Sequence, residues 1–202
     1  MKTSGLRAFS DLAQHILSVE APPDSTTRVV AVDGPSGSGK TTFAARLASH
    51  LSCPTVHMDD LYPGWDGLAD STRCLKDWIL TPLAQNRPAR YRRFDWYANA
   101  YAGWHDVPTS EVLVVEGVGS GASAEHLSFL IWVEAPKPLR MKRGIERDGE
   151  AFRPHWERWA AQEEAMFRAS RTRKRADLLV NGVNGDPKTP HDPERGFILL
   201  PA

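Results

Sequence analysis

The chain alternates between two hydrophobic rhythms. "LRAFSDLAQHIL" (6–17) sets Leu6, Phe9, Ala13, Ile16 and Leu17 on one helical stripe, predicting a covering helix before the polar linker APPDSTT. "RVVAVDG" (28–34) is rich in β-branched residues, the mark of a buried strand, and residues 40–51 predict the next helix. A strand over 54–58 follows, then a helix over 71–86 that Asp70 can cap, with Leu75, Trp78, Ile79 and Leu83 at helical spacing. Residues 88–108 hold Tyr91, Phe94, Trp96, Tyr97, Tyr101 and Trp104 without a regular period and read as irregular. Strands over 111–117 and 127–135, helices over 137–148 and 154–172, and a strand over 176–182 complete the series. The stretch 183–202 is rich in Gly and Pro, and only "FILL" near its end could anchor it.

Strands alternating with helices predict an α/β fold, a mostly parallel five-stranded sheet with helices on both faces. Such sheets bind ligands beyond the carboxyl ends of their strands. There is no internal repeat and no low-complexity tract. The 202 residues predict one domain: a covering helix and linker (1–27), a core (28–182) and a tail (183–202).

Charge and cysteine usage narrow the partners. Lys+Arg and Asp+Glu both number 25, so total charge advertises neither nucleic acid nor an anionic membrane. The local run Arg171, Arg173, Lys174 and Arg175 reads as a helix end, where cations suit the dipole. Cys53 and Cys74 stand apart without a CxxC or His-rich partner, which leaves no zinc site or disulfide framework to expect. No apolar run approaches the ~20 residues of a membrane span. Asp11, Gln14 and His15 interrupt the N-terminal stretch where a secretory signal would be apolar, so a cytoplasmic protein is expected. A homo-oligomer is compatible with these features.

One motif carries chemistry outright. "GPSGSGKT" (34–41) fits GxxxxGK[ST] between a strand and a helix, the context that makes it a phosphate-binding P-loop. Glycines let the backbone curl until successive N–H groups point inward at phosphate oxygens. Lys40 reaches the outer phosphates, the Thr41 hydroxyl can ligate Mg²⁺, and the helix start adds its positive end. The expected ATP contacts are therefore Gly34, Pro35, Ser36, Gly37, Ser38, Gly39, Lys40, Thr41 and Thr42. Asp33 reads as a polar neighbour of the metal site.

A second motif suggests the acceptor side. "CPTVHM" ends on Asp59 and Asp60, then Leu61 and Tyr62. The strand after the first helix commonly lies beside the cradle strand, so its end would face the same crevice. A carboxylate there can accept an acceptor's hydroxyl proton and fix the line of attack, a role for Asp59. Asp60 would point elsewhere, capping the turn into Leu61, and His57 reads as a structural residue. Glu116, ending "VLVVEG", stands where P-loop proteins place an acid that holds Mg²⁺, with Thr41 as its partner. At ~100° per residue, Arg140, Arg143 and Arg147 share roughly 60° of one helical face, a natural partner for a multiply charged anion.

These segments resemble the uridine–cytidine kinase family, within the uridine kinase-like group that includes phosphoribulokinase. "VHMDDLY" is similar to its S-x-D-x-F-Y, "RFDWYANAY" to Y-D-F-x-x-H, "VLVVEG" to V-x-x-E-G, "RMKRGIERD" to R-x-x-R-x-x-x-R-D and "RADLLV" to Y-A-D-x-x-I. The resemblance runs in order over roughly residues 28 to 182. It implies a P-loop NTPase fold with an arginine-bearing lid helix and an ATP- and Mg²⁺-dependent kinase. Asp59 would be the base, with Lys40, Arg143 and Arg147 as catalytic cations and Arg140 joining the ATP contacts. Tyr62, Asp66, Phe94, Asp95, Trp96 and Asn99 would line the acceptor pocket. The chain departs from the family at Asn99, which replaces the histidine, at "GEAFRPHW" after the lid helix, and at "GWDG" in place of F-D-H-P. A nucleoside is thus the expected acceptor. The alternatives are another small alcohol (a sugar, sugar acid, pantothenate-like alcohol or antibiotic), or an ATPase or switch module that phosphorylates nothing.

Overall fold

The computed structural model describes residues 5–22, 25–149, 153–183 and 191–201. In chain order the elements are β1 (Gly5–Ala8), α1 (Phe9–Ser18), β2 (Arg28–Asp33), α2 (Lys40–Leu51), β3 (Thr55–His57) and a 3₁₀ turn (Met58–Asp60). Next come α3 (Leu68–Leu75), a π-helical turn (Lys76–Leu80), α4 (Thr81–Ala84), β4 (Arg90–Asp95), β5 (Ala100–Asp106), β6 (Val112–Glu116) and β7 (Phe129–Glu134). The series closes with α5 (Lys137–Asp148), α6 (Arg153–Ser170), α7 (Thr172–Arg175), β8 (Leu178–Asn181) and β9 (Gly196–Leu199).

The α/β P-loop architecture is as expected, and the sheet is wider. Five parallel strands run β8-β7-β2-β6-β3, and β9 and β1 extend the β8 edge antiparallel to give seven strands. Both additions come from segments whose pattern was too short to read as strands. Leu6 and Arg7 lie in β1, so the first helix begins only at Phe9. Phe197 of "FILL" packs its ring 5.0 Å from Phe9 and 5.2 Å from Phe43, which anchors β9 to the core.

Strand alternation divides the core between the two faces. Val30, Val32, Val112 and Val114 pack with Phe9, Ile16, Phe43 and Leu47 of α1 and α2. Val29, Leu113 and Val115 pack with Leu68, Leu75, Ile79 and Trp159 on the other side.

Three local expectations change. The strand after α2 is not beside β2: β6 lies between them, pairing Val32 and His57 each with Glu116. The helix expected from 71 starts at Leu68, so Asp70 sits in its first turn and pairs with Arg73 at 2.8 Å instead of capping. Residues 88–108 are not irregular but hold an antiparallel hairpin, β4–β5. Its turn is set by the Asp95 carboxylate, which accepts the N–H groups of Tyr97 and Ala98 at 2.9 Å, and by Asn99 in the left-handed region (φ 50°).

Candidate active site

The phosphate loop is built so that side chains cannot enter it. Gly34 adopts φ 141°, and a Cβ there would lie 2.1 Å from the Val133 carbonyl oxygen. At Gly37 (φ 75°) a Cβ would lie 2.3 Å from the Arg140 oxygen. Backbone alone therefore fits against β7 and α5, as an inward-facing ring of N–H groups requires. Lys40 opens α2 and donates its ammonium to the Pro35 carbonyl at 3.1 Å, folding back over the loop.

Asp33 is a structural clasp for this loop. Fully buried, it accepts the N–H groups of Gly34 (2.7 Å), Gly119 (3.0 Å) and Gly121 (2.9 Å), tying the cradle to the segment after β6. Burial pushes its carboxyl up to about 6, against the opposing pull of those donors and of Lys40.

At the carboxyl ends of β3 and β6, acids and cations converge. Asp59 leaves the 3₁₀ turn still reached by water, yet crowded by protein on most sides, like a group on the floor of an open cleft. That crowding and the Glu116 charge raise its carboxyl above the ordinary range, while Arg147, Lys40 and His57 pull it down. The buried Glu116 receives the Thr41 hydroxyl at 3.2 Å and lies 2.7 Å from His57 Nδ1. Its hydrogen bond raises the half-exposed imidazole's pKa. His57 is thus more than a satisfied strand residue: the parallel register His57↔Glu116, invisible in sequence, sets it beside the acid.

The second acid has a different task. Asp60 pairs with Arg93 at 2.9 Å and accepts the Tyr91 hydroxyl at 3.4 Å, both from β4. It fastens the hairpin, which in turn sends the Trp96 indole N–H to the Asp59 carbonyl at 3.0 Å. The doubled acid therefore separates two jobs, one facing the cleft and one holding its wall.

Other expected acceptor residues are distributed unevenly. Trp96 is at the cleft, half-exposed, with its ring 5.2 Å from Trp65. Asn99 is placed near Gly64 by the hairpin turn, and Asp66 pairs with Arg158 at 3.2 Å. Tyr62 departs from expectation: it is buried, gives its hydroxyl to the Val118 carbonyl at 2.9 Å and packs on Trp159. Phe94 is likewise a buried plug against Trp96 and Tyr101, and Asp95 is occupied by the hairpin turn.

The three arginines of α5 do not act as one face. Arg140 donates to the carbonyls of Ala135 and Ser36 at 3.1 Å, and Arg143 donates to those of Gly37 (3.3 Å) and Gly182 (2.9 Å). Both brace the loop's backbone from outside. Arg147 alone is tied electrostatically to Asp59. Arg147→Ala is therefore expected to lower kcat about tenfold or more with little change in ATP KM, since charge develops in the cleft. Arg143→Ala should instead raise ATP KM and lower Tm. Steady-state kinetics and thermal melts on both variants check this, and matching kinetic changes would contradict the division.

The residues present fit Mg²⁺ and a nucleotide. Thr41 Oγ1 and the Glu116 carboxylate are adjacent hard oxygen donors, and the Ser38 hydroxyl is buried in the cradle without a hydrogen-bond partner. Among the described residues no group of three or more His, Cys, Asp and Glu could hold a metal by itself. Magnesium suits such a sparse set, because it keeps waters and takes phosphate oxygens as ligands.

No protein-family model matches the sequence. A cytidylate kinase from Halorubrum lacusprofundi is 30% identical over 145 residues, covering 69% of this chain and 70% of that protein. The chain belongs to the P-loop kinases. A cytidylate kinase from Halobacterium salinarum is 29% identical over 120 residues, 59% of this chain, and the chain spans only 58% of that relative's length. A solved structure described as a possible uridine kinase from Bacillus stearothermophilus superposes with TM-score 0.60 at 20% identity, covering 85% of this chain and 96% of that chain. Its likeness bears on the fold. No helix among the described residues is long and apolar enough to cross a membrane. Within the basic run, Arg173 pairs with Glu134 at 2.8 Å and Arg175 donates to the carbonyls of Ser170 and Gly121, so two of its cations serve the fold.

Sequence reading passed over two further residues. Trp159 and Glu163 of α6 are buried and reach Ser36 in the loop. The signal for them was an acid continuing the apolar spacing Trp156, Trp159, Glu163.

Proposed function

We propose that the protein transfers the γ-phosphoryl group of ATP to a hydroxyl of a small planar metabolite, a pyrimidine nucleoside being the best match. The observation that carries this reading is the placement of Asp59 at the carboxyl end of β3, within electrostatic reach of Lys40, Arg147 and Glu116. A hydroxyl must lose its proton as it attacks phosphorus, and a carboxylate of raised pKa is a better acceptor for it. Lys40 and Arg147 then face the negative charge on the transferring group. Mg²⁺ held by Thr41 and Glu116 would neutralise phosphate oxygens. The half-exposed Trp96 indole, fixed to the Asp59 backbone, offers a face on which a base can stack.

The cytidylate kinase relatives favour a second reading, in which the acceptor atom is the phosphate of a nucleoside monophosphate. The two chemistries differ at Asp59. A phosphate is already ionised at neutral pH, needs no base, and is repelled by a carboxylate at the attack position. ADP release measured across uridine, cytidine, UMP, CMP, sugars and sugar acids tests the proposal. Turnover confined to the monophosphates would replace the first reading with the second, and turnover with none would overturn both.

A further inference from the structure

Helix α6 shows a stripe that packing alone does not require. His155, Arg158, Trp159, Gln162 and Glu163 recur at helical i, i+3, i+4 spacing, and each contacts either Ser36 or residues 65 and 66. The first part of the stripe holds the loop after Tyr62. The His155 ring stacks on Trp65 at 4.5 Å with planes 2° apart, Gln162 donates to the Trp65 carbonyl at 2.8 Å, and Arg158 pairs with Asp66. The rest holds the phosphate loop. Glu163 accepts the Ser36 N–H at 2.8 Å, and the Trp159 indole N–H is shared between Ser36 Oγ and Glu163, each at 2.9 Å.

Arg140 completes the grip on Ser36, taking its carbonyl at 3.1 Å with Glu163 4.0 Å away. Every polar group of Ser36 is thus held by α5 or α6. Burying a carboxylate is costly, and an apolar residue would fill the space more cheaply if filling were the task. Electrostatics alone would also forbid it, because an anion beside a phosphate site weakens phosphate binding. The carboxylate makes sense as an acceptor that fixes one backbone N–H and so sets the curvature of the loop on either side.

We propose that Glu163 and Trp159 are positioning residues for the phosphate loop, and that α6 carries the placement of loop 63–67 to that loop. The inference rests on the loop's nucleotide-binding role but not on the identity of the acceptor. Positioning and charge make opposite predictions. If Glu163 acts only through its charge, Glu163→Ala tightens nucleotide binding. If it positions the loop, the same change weakens it.

Titration of the full chain with MgADP, and hydrogen exchange of peptides covering 34–41 without nucleotide, decide between them. Glu163→Ala should weaken MgADP about tenfold and speed exchange at Ser36, as loss of a buried charge-assisted hydrogen bond implies. Glu163→Gln should recover part of both, since its amide oxygen can accept the same N–H. Trp65→Ala, which removes the ring stacked on His155 and set edge-on to Trp159, should weaken MgADP about threefold. Unchanged or tighter MgADP binding in Glu163→Ala overturns the positioning role, and unchanged binding in Trp65→Ala overturns the link along α6. If the wild-type chain binds no MgADP, the nucleotide reading itself fails. Exchange at Ser36 still tests the clamp in that case, and rates equal in wild type and Glu163→Ala overturn it.

Discussion

Asp59→Asn should lower acceptor phosphorylation about 10²- to 10⁴-fold while leaving MgATP affinity within a few-fold of wild type. Asparagine keeps the size and shape of the side chain and removes only the proton acceptor. The cradle's backbone keeps its shape, which Gly34, Gly37 and the Asp33 clasp set, and the main-chain bond from Trp96 to residue 59 is retained. Asp60→Asn is the matched control. It breaks the ion pair with Arg93, an exposed arginine, and keeps an oxygen for the Tyr91 hydroxyl. A pair of that exposure contributes at most about 1 kcal/mol, so the variant should lose less than about tenfold in turnover. Single-turnover transfer and equilibrium ATP binding, measured on both variants, check the contrast. Equal losses would mean that the two acids share one function, contrary to their separate partners.

Lys40→Ala should reduce kcat at least about 10²- to 10³-fold, the range seen when one preorganised donor to a developing charge is removed. Its ammonium has one protein partner in the loop, the Pro35 carbonyl, and the fold does not hang on that contact. Loop shape depends on Gly34, Gly37 and the three backbone N–H groups that Asp33 accepts, all of which the substitution retains. Circular dichroism and thermal melts should therefore match wild type while turnover collapses. Retention of a tenth of wild-type kcat, or a large drop in Tm, would remove Lys40 from the reaction.

Local patterns exposed the cradle in the sequence because its function needs consecutive backbone groups. Gly34 to Thr41 supply the site from one unbroken stretch, so the motif and the structure are nearly the same object. The acceptor side was legible only in part. Asp59 stood out only because a phosphate cradle lies upstream of it, since acids at strand ends are common for conformational reasons alone, and its relation to Glu116 and His57 depends on β6 lying between β2 and β3. No local spacing encodes that order.

The hairpin escaped for a related reason. Its aromatics fall on both faces, since β4 and β5 stand apart from the main sheet and lack the inside-outside contrast that gives a strand its period. Helical spacing puts the arginines of α5 on one face, but it does not say what each meets. Three residues on a face can meet different neighbours at different heights: Arg140 and Arg143 meet loop carbonyls, while Arg147 acts electrostatically on Asp59. Tyr62 was misjudged because an aromatic ring beside an acid reads the same whether it lines a pocket or plugs the floor beneath it.

The Trp159 indole has an optical consequence. It is one of seven tryptophans, buried, and hydrogen-bonded both to Ser36 of the phosphate loop and to a carboxylate. An indole's emission energy follows the charges around it, and this one sits where a nucleotide's phosphates would bring several negative charges at once. Trp96, anchored to the Asp59 carbonyl, occupies the corresponding position on the acceptor side. Of the seven intrinsic fluorophores, these two are therefore expected to respond to the two proposed substrates, and difference spectra against Trp159→Phe and Trp96→Phe would separate the order in which those substrates arrive without any attached dye.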